Sequence, residues 1–574
     1  MADATRENWG TRLGFILAAV GSAVGLGNIW RFPGVAYENG GGAFLVPYLV
    51  ALLTAGIPLL IMEFTIGRKY RASAPLAWRK LSKGAEFIGW WQTIIASVIA
   101  VYYAAIVAWA AWYTWFSIDQ SWGSADETGG FLFDFLGADM ATGLFDFSGY
   151  SQQVLWGMVA VWLIVGVVIV AGVRKGIERF NKIFMPLLIV MFGVMVVQAL
   201  TLEGAATGLN AFFTPEWSEL SNADVWIAAY GQIFFSLSIG FGIMITYASY
   251  LKKKNDITTS ALTVGFANSS FELLAGIGVF SVLGFMAVQS GTPVDEQVSS
   301  GVGLAFVAFP AIINQLPFAP ALFGILFFLS LTFAGLTSLI SIVQVPAAAI
   351  KDRFGVSQKA AAGVVWAVLA VISVSLFSAN NGLFMLDSTD AYINAFGIAG
   401  AGFTSILVVF WIVRKWPVIV ENANSSSTFQ LVKRRKDLWF GALGVVTVLI
   451  LGVTLYQSVQ AQFQVEWAME YFGLEDAETA QPFVDYGIVL VLSALGLAVL
   501  LNIVLLGYKS KGEEITSDDD DDDDGAAPAA EASEEESGPS EEKAESAEEP
   551  EDESGEDSDD GSDGDSEEKR EEAK

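Results

Sequence analysis

Twelve polar side chains sit inside long apolar stretches of this chain: Asn28, Glu63, Tyr103, Gln232, Ser236, Ser238, Asn268, Glu272, Thr337, Ser338, Asp387 and Asp390. Each is costly there unless it faces a partner or a cavity. A Ser or Thr can satisfy itself on its own helix's carbonyl one turn back, but Asn28, Asn268, Glu272 and Asp390 have no such local outlet. The chain has no Cys and no His, which removes disulfides, thiolate nucleophiles, His ligands and any imidazole base. Most hydrolase and metalloenzyme chemistry falls with them, and the protein is not expected to be an enzyme.

Two apolar stretches are interrupted in the same way, by Gly21-Ser-Ala-Val-Gly25-Leu-Gly27-Asn28 and by Ser236-Leu-Ser238-Ile-Gly240-Phe-Gly242. Unwound backbone at such points can show carbonyls to a cation and N–H groups to an anion. Gly21 and Gly25 also make a GxxxG spacing, which serves close helix packing. The matching positions of the two interruptions, five spans apart, favour a binding site.

The elements that must position these residues are set by composition. Of the 574 residues 53% are hydrophobic and only 16% charged, a balance that would expose large apolar patches in a soluble domain. Apolar runs of about 20 residues, each able to cross the bilayer's hydrocarbon, recur along the chain. They centre near Val24, Leu53, Ala104, Val161, Val190, Ser238, Gly276, Ser330, Val368, Ser405, Leu449 and Leu495. Lipid offers no partner to backbone polar groups, so these runs are expected to be helices, giving an all-α integral membrane protein of about twelve spans. The N-terminus is polar to Arg12, and the apolar run after it lacks an A-x-A-like cleavage site, so the first span is expected to stay in place.

Basic residues cluster in alternate loops, which places both termini in the cytoplasm of a cell whose plasma membrane holds the protein. Of the 27 basic residues before position 513, only Arg31 falls on the outer side. The net charge of −31 is mostly a tail: 513–574 holds 31 acidic and 4 basic residues, including seven consecutive aspartates from Asp518 to Asp524. Such a segment is expected to be a disordered, cytoplasmic, solvating extension, suited to a prokaryote with a salty, halophilic cytoplasm, while 1–512 forms the transmembrane domain. Transport is expected to survive its deletion.

Several segments resemble the neurotransmitter:sodium symporters: Arg6-Glu-Asn-Trp9, GSAVGLGNIWRFP from Gly21 to Pro33, and ENGGGAFLVPY from Glu38 to Tyr48. GQIFFSLSIGFG from Gly231 to Gly242, ITYASY to Tyr250, FAGLTS from Phe333 to Ser338 and LDSTD from Leu386 to Asp390 fit in order and spacing. The resemblance covers about residues 6 to 508 and is strongest to the bacterial leucine-transporter branch. It implies the LeuT fold: two inverted five-helix repeats, spans 1 to 5 and 6 to 10, with broken helices 1 and 6 and two further spans.

The resemblance also implies two sodium ions and no organic cofactor. One ion would lie among the Ala23 carbonyl, the amides of Asn28 and Asn268, Ser236 and the substrate carboxylate. The other would lie among the carbonyls of Gly21, Val24 and Ala334 and the hydroxyls of Thr337 and Ser338. All are oxygen ligands, as a hard cation requires, and Ala334 and Thr337 share one helix face.

The implied substrate carboxylate would meet the N–H groups of Leu26 and Gly27 and the Tyr103 hydroxyl, and the amine the carbonyls near Phe235 and Ser236. Gly25 stands where the monoamine carriers place an Asp, which favours an amino acid with its own carboxylate. Ile99, Phe235, Ser238, Phe241, Ser338, Ser341 and Ile342 would line the side-chain pocket.

Arg31 needs an anion, and Asp390 near the outer end of its span is the expected partner in an outer gate; Arg6 and Asp352 would form the cytoplasmic counterpart. Glu272, one turn beyond Asn268, stands where chloride-dependent members resemble it with a Ser, so its carboxylate, near Gln232 and Tyr48 by resemblance, would replace chloride. The expected protein is a sodium-coupled importer of a small zwitterionic amino acid, working in the lipid bilayer by alternating access, with no nucleic-acid partner. A sodium-coupled carrier of glycine or betaine, or a non-transporting solute receptor on the same scaffold, is the alternative.

Overall fold

A computed structural model describes residues 6–139, 143–296, 298, 301–428 and 436–507. The acidic tail from 513 lies outside the described residues, and so does its boundary with the transmembrane domain.

Among the described residues ten helices are long and apolar enough to cross a membrane, and a bent pair, Arg12–Ala23 with Leu26–Glu38, turned by 55°, forms a further span that comes first in the chain. After this first span come Gly42–Tyr70, Lys83–Phe116, Gln152–Val170 and Val173–Leu200 as spans two to five. Ile257–Ser290, Pro320–Phe354, Gln358–Phe377, Gly382–Ile412, Lys436–Gln462 and Ala477–Leu505 are spans seven to twelve. The sixth is split into Ala223–Ser236 and Ile243–Ala248, each too short to span alone. The runs centred on Val24 and Ser238 are thus the two interrupted ones.

Each break has a local cause. Val24 and Gly25 turn extended, and the Asn28 side chain takes the Gly25 N–H at 2.9 Å, opening a new helix at Leu26. In the sixth span Ser238, Gly240 and Gly242 all have positive φ, at 52°, 90° and 81°, so the chain cannot continue as a right-handed helix. The N-termini of later spans carry ordinary caps: Asp256 accepts from the Thr259 N–H and Asp476 from the Thr479 N–H.

The third and eighth spans pack along one another most extensively, and the first lies against the fifth, seventh and eighth. Burial separates scaffold from rim: the most apolar windows are 72% buried in the third and seventh spans and 78% in the eighth, against 28% in the eleventh and 11% in the twelfth. The last two spans therefore give most of their surface to lipid, and the polar residues of the sequence collect inside the well-buried ones. Among the described residues the only extended pairings are two isolated bridges, Gly41 with Pro215 and Tyr150 with Ala379.

Candidate functional site for substrate and ions

The two breaks face each other. The Ser238 hydroxyl donates to the Ser22 carbonyl at 2.8 Å, and the Gly240 N–H donates to Glu63 Oε1 of the second span at 3.0 Å. Glu63 is buried, so a carboxylate inside the membrane is spent on holding unwound backbone in place. Sequence reading singled out Glu63 without giving it a role. An acid isolated in an apolar run was the signal.

Between the breaks lies a cavity of about 610 Å³. Of the residues expected to bind substrate, Ala23, Gly25, Leu26, Gly27, Ile99, Tyr103, Phe235, Ser236, Ser238, Phe241, Ser338 and Ile342 line it, and Ser341 does not. The Tyr103 hydroxyl stands 3.4 Å from the Leu26 N–H. A Cβ at Gly25 would come within 3.1 Å of Ser338 Oγ and 3.2 Å of the Tyr103 hydroxyl, and one at Gly27 would strike the Phe235 ring at 2.2 Å. Backbone, not side chain, therefore faces the cavity at both positions.

Ser341 departs from expectation. It does not line the cavity: its hydroxyl donates to the Thr337 carbonyl at 2.8 Å and accepts from the Tyr247 hydroxyl at 2.7 Å, fully buried. The family resemblance suggested the pocket for this position, but the hydroxyl finds its partners in Thr337 and Tyr247.

The residues expected at the first ion form one buried chain. Asn28 Nδ2 donates to Asn268 Oδ1 at 2.9 Å, and Asn268 Nδ2 donates to the Ser236 hydroxyl. These neutral oxygens, with the Ala23 carbonyl beside the same cavity, suit a hard monovalent cation. Among the described residues no group of three or more His, Cys, Asp or Glu gathers as metal ligands would, so a carboxylate-rich divalent site is not formed.

Among the residues expected to hold a second ion, the Ser338 hydroxyl is 3.3 Å from the Gly21 carbonyl and 3.2 Å from that of Ser22, and the Thr337 hydroxyl is 3.0 Å from the Ala334 carbonyl. The first and eighth spans thus meet at the expected residues. Val24 contributes a different contact here, its N–H donating to the Val20 carbonyl at 2.7 Å.

Glu272 is fully buried, with Gln232 Nε2 donating to one oxygen at 2.7 Å and the Tyr48 hydroxyl donating to the other. Ser236 also bonds this carboxylate, which joins Glu272 directly to the Asn28–Asn268–Ser236 chain.

The two pairs expected as gates differ. In the pair expected on the cytoplasmic side, Arg6 Nη1 meets Asp352 Oδ2 at 2.7 Å, Arg6 Nη2 meets the Ser249 hydroxyl at 2.7 Å, and the Ser73 N–H closes on Asp352 at 2.6 Å. Burial alone would lower the Arg6 pKa, but Asp352 and the Tyr250 ring beside it keep the guanidinium above its ordinary value. The expected outer ion pair is not formed. Arg31 and Asp390 both line the cavity, but Arg31 lies over the Phe235 ring and Asp390 accepts from the Tyr102 hydroxyl at 2.6 Å. Gln462, Trp467 and Tyr471 line the same cavity. Tyr102 escaped the sequence reading, though its place beside Tyr103 was a usable signal.

The family profile "SNF: Sodium:neurotransmitter symporter family" matches residues 6–129 and 140–503. The chain belongs to the sodium:neurotransmitter symporter family. It is 44% identical over 457 residues to an uncharacterized sodium-dependent transporter of Methanocaldococcus jannaschii, covering 79% of this chain and 91% of that one. It is 33% identical over 381 residues to the sodium- and chloride-dependent GABA transporter 2 of Bos taurus, covering 61% and 62% of the two chains. A crystal structure of MhsT in complex with L-phenylalanine is similar at a TM-score of 0.67 and 32% identity, over 79% of this chain and all of that one. The LeuT fold, with its broken first and sixth spans, is the architecture of this symporter-family chain.

Proposed function

We propose that this protein imports a small zwitterionic amino acid, coupled to two co-transported sodium ions, across the plasma membrane with both termini in the cytoplasm. The observation that carries the reading is the convergence on one cavity of the Leu26 and Gly27 backbone, the Tyr103 hydroxyl and the Asn28–Asn268–Ser236 oxygens. N–H groups at a new helix start suit a carboxylate, and neutral oxygens suit sodium. The carboxylate would lie between the two, so substrate and first ion stabilise each other and bind together.

Gly25 supports the amino-acid class, because a Cβ there would stand 3.1 Å from Ser338 Oγ and 3.2 Å from the Tyr103 hydroxyl, so a side-chain carboxylate would crowd both. The closed Arg6–Asp352 pair and the separated Arg31 and Asp390 belong to an outward-facing arrangement, from which substrate enters past Phe235. Binding would draw Arg31 towards Asp390 and shut the outer side before the inner pair parts.

The test is a panel of labelled amino acids offered to proteoliposomes holding the full-length protein under an inward sodium gradient. Accumulation of at least one amino acid with sodium and none with potassium is expected. Equal uptake in both salts, or none with any amino acid, would overturn the proposal.

A further inference from the structure

We propose that Ser341 is a positioning residue which, through Tyr247, holds the inner half of the sixth span and sets how readily the cytoplasmic gate opens. This rests on the transport reading above.

The contacts close a ring. Ser341 Oγ donates to the Thr337 carbonyl at 2.8 Å and accepts from the Tyr247 hydroxyl at 2.7 Å. The Tyr247 carbonyl accepts the Trp9 indole N–H at 2.8 Å, and the Trp9 ring meets the Tyr247 ring edge-on at 5.3 Å. The Trp9 N–H in turn donates to the Tyr250 carbonyl at 3.2 Å. Arg6, just before Trp9 in the chain, lies over the Tyr250 ring at 4.9 Å and pairs with Asp352. Asp352 returns to the eighth span, about three turns beyond Ser341. Thr337 is both the acceptor for Ser341 and a proposed ligand of the second sodium. One helical turn therefore touches the ion site on one side and the seat of the gate on the other.

The two ends of the Ser341 to Tyr247 bond are not equivalent. Without Ser341 the Tyr247 hydroxyl loses its acceptor in a fully buried place, whereas without the Tyr247 hydroxyl Ser341 still bonds Thr337. An orphaned buried donor is costly, while removing both partners is nearly neutral. Opening the inner pathway would wet the orphan, so its cost falls on the closed gate alone. A bond that merely filled the core would give the same asymmetry in stability but would leave the accessibility of the inner pathway unchanged.

The absence of Cys from the chain supplies the assay. Ala348 is fully buried and lies one turn before Asp352 on the same helix face, so Ala348→Cys reports opening of the inner side. The rate of its reaction with a small charged thiol reagent would be followed on the purified full-length protein. In sodium-free buffer Ser341→Ala should raise that rate about tenfold, Tyr247→Phe should change it less than about twofold, and the double variant should return near the parent rate. A parent-like rate for Ser341→Ala, or a double variant as fast as Ser341→Ala, would overturn the proposal. Should Ser341→Ala not fold, the double variant decides: folded with a parent-like rate supports the role, and misfolded as well overturns it. The parent's response to sodium is read separately. If sodium does not slow its labelling, the transport reading fails, and the sodium-free comparison still judges Ser341.

Discussion

The guanidinium of Arg31 lies over the ring of Phe235, its central carbon 4.6 Å from the ring centroid. Phe235 also blocks any Cβ at Gly27, so the ring links the proposed outer gate to the backbone proposed to hold the substrate carboxylate. Arg31→Ala should abolish uptake, by more than about tenfold, while the protein inserts normally. Arg31→Lys should recover only part of it, since an ammonium lacks the planar face that stacks on the ring. The check is uptake normalised to surface-labelled protein; wild-type uptake by the alanine variant would remove Arg31 from the gate.

Gly25→Asp should cost a zwitterionic substrate at least about a hundredfold in apparent affinity. The new carboxylate would crowd Ser338 and Tyr103 and stand beside the substrate's own, and like charges set together cost several kcal/mol. Competition of labelled substrate by unlabelled amino acids and by amines lacking a carboxylate measures this. An unchanged amino-acid affinity would show that the carboxylate binds elsewhere.

Thr337→Ala should raise the sodium concentration for half-maximal uptake about three- to tenfold with little loss of stability. The hydroxyl bonds only carbonyls of its own helix, Phe333 at 3.1 Å and Ala334 at 3.0 Å, so the helix survives its removal while the ion loses an oxygen. Uptake measured against sodium at fixed ionic strength decides. A superimposable sodium curve would take Thr337 off the ligand set.

The spans were legible because a length of apolar residues sufficient to cross lipid admits few structures. Both breaks were legible as well, since glycines inside such a run have few other uses. The grouping of Asn28, Ser236 and Asn268 could be read through the family motifs, because each motif carries its own site residue. Contacts that depend on rotamers or on the stage of the transport cycle were not legible. Arg31 and Asp390 share a cavity without touching, as the outward-facing arrangement proposed above would require. Ser341 turns to Tyr247 because a buried tyrosine hydroxyl needs an acceptor, and nothing in the local spacing says which face of the helix provides it. Glu63 was conspicuous as a buried acid, but its partner is a backbone N–H that exists only because the sixth span unwinds.

Glu272 gives the last prediction. Its two oxygens are held by Gln232 and Tyr48, and Ser236 joins it to the proposed first sodium site. The three donors and a sodium ion at the proposed site would together hold Glu272 as a carboxylate against the burial that favours its neutral form, and that carboxylate would supply the negative charge that a chloride ion supplies elsewhere. Uptake by the wild type is therefore expected to be unchanged when gluconate replaces chloride. In Glu272→Ser the charge is gone, but the donors of Gln232 and Tyr48 remain around a space of anion size, so that variant should transport only with chloride present. A Glu272→Gln variant, which keeps the volume and removes the charge, should lose uptake in either salt because its amide fills the space. The measurement is initial uptake in proteoliposomes at matched sodium with chloride or gluconate as the anion. Chloride-dependent wild-type uptake, or a serine variant indifferent to chloride, would show that the negative charge beside the sodium site comes from another source.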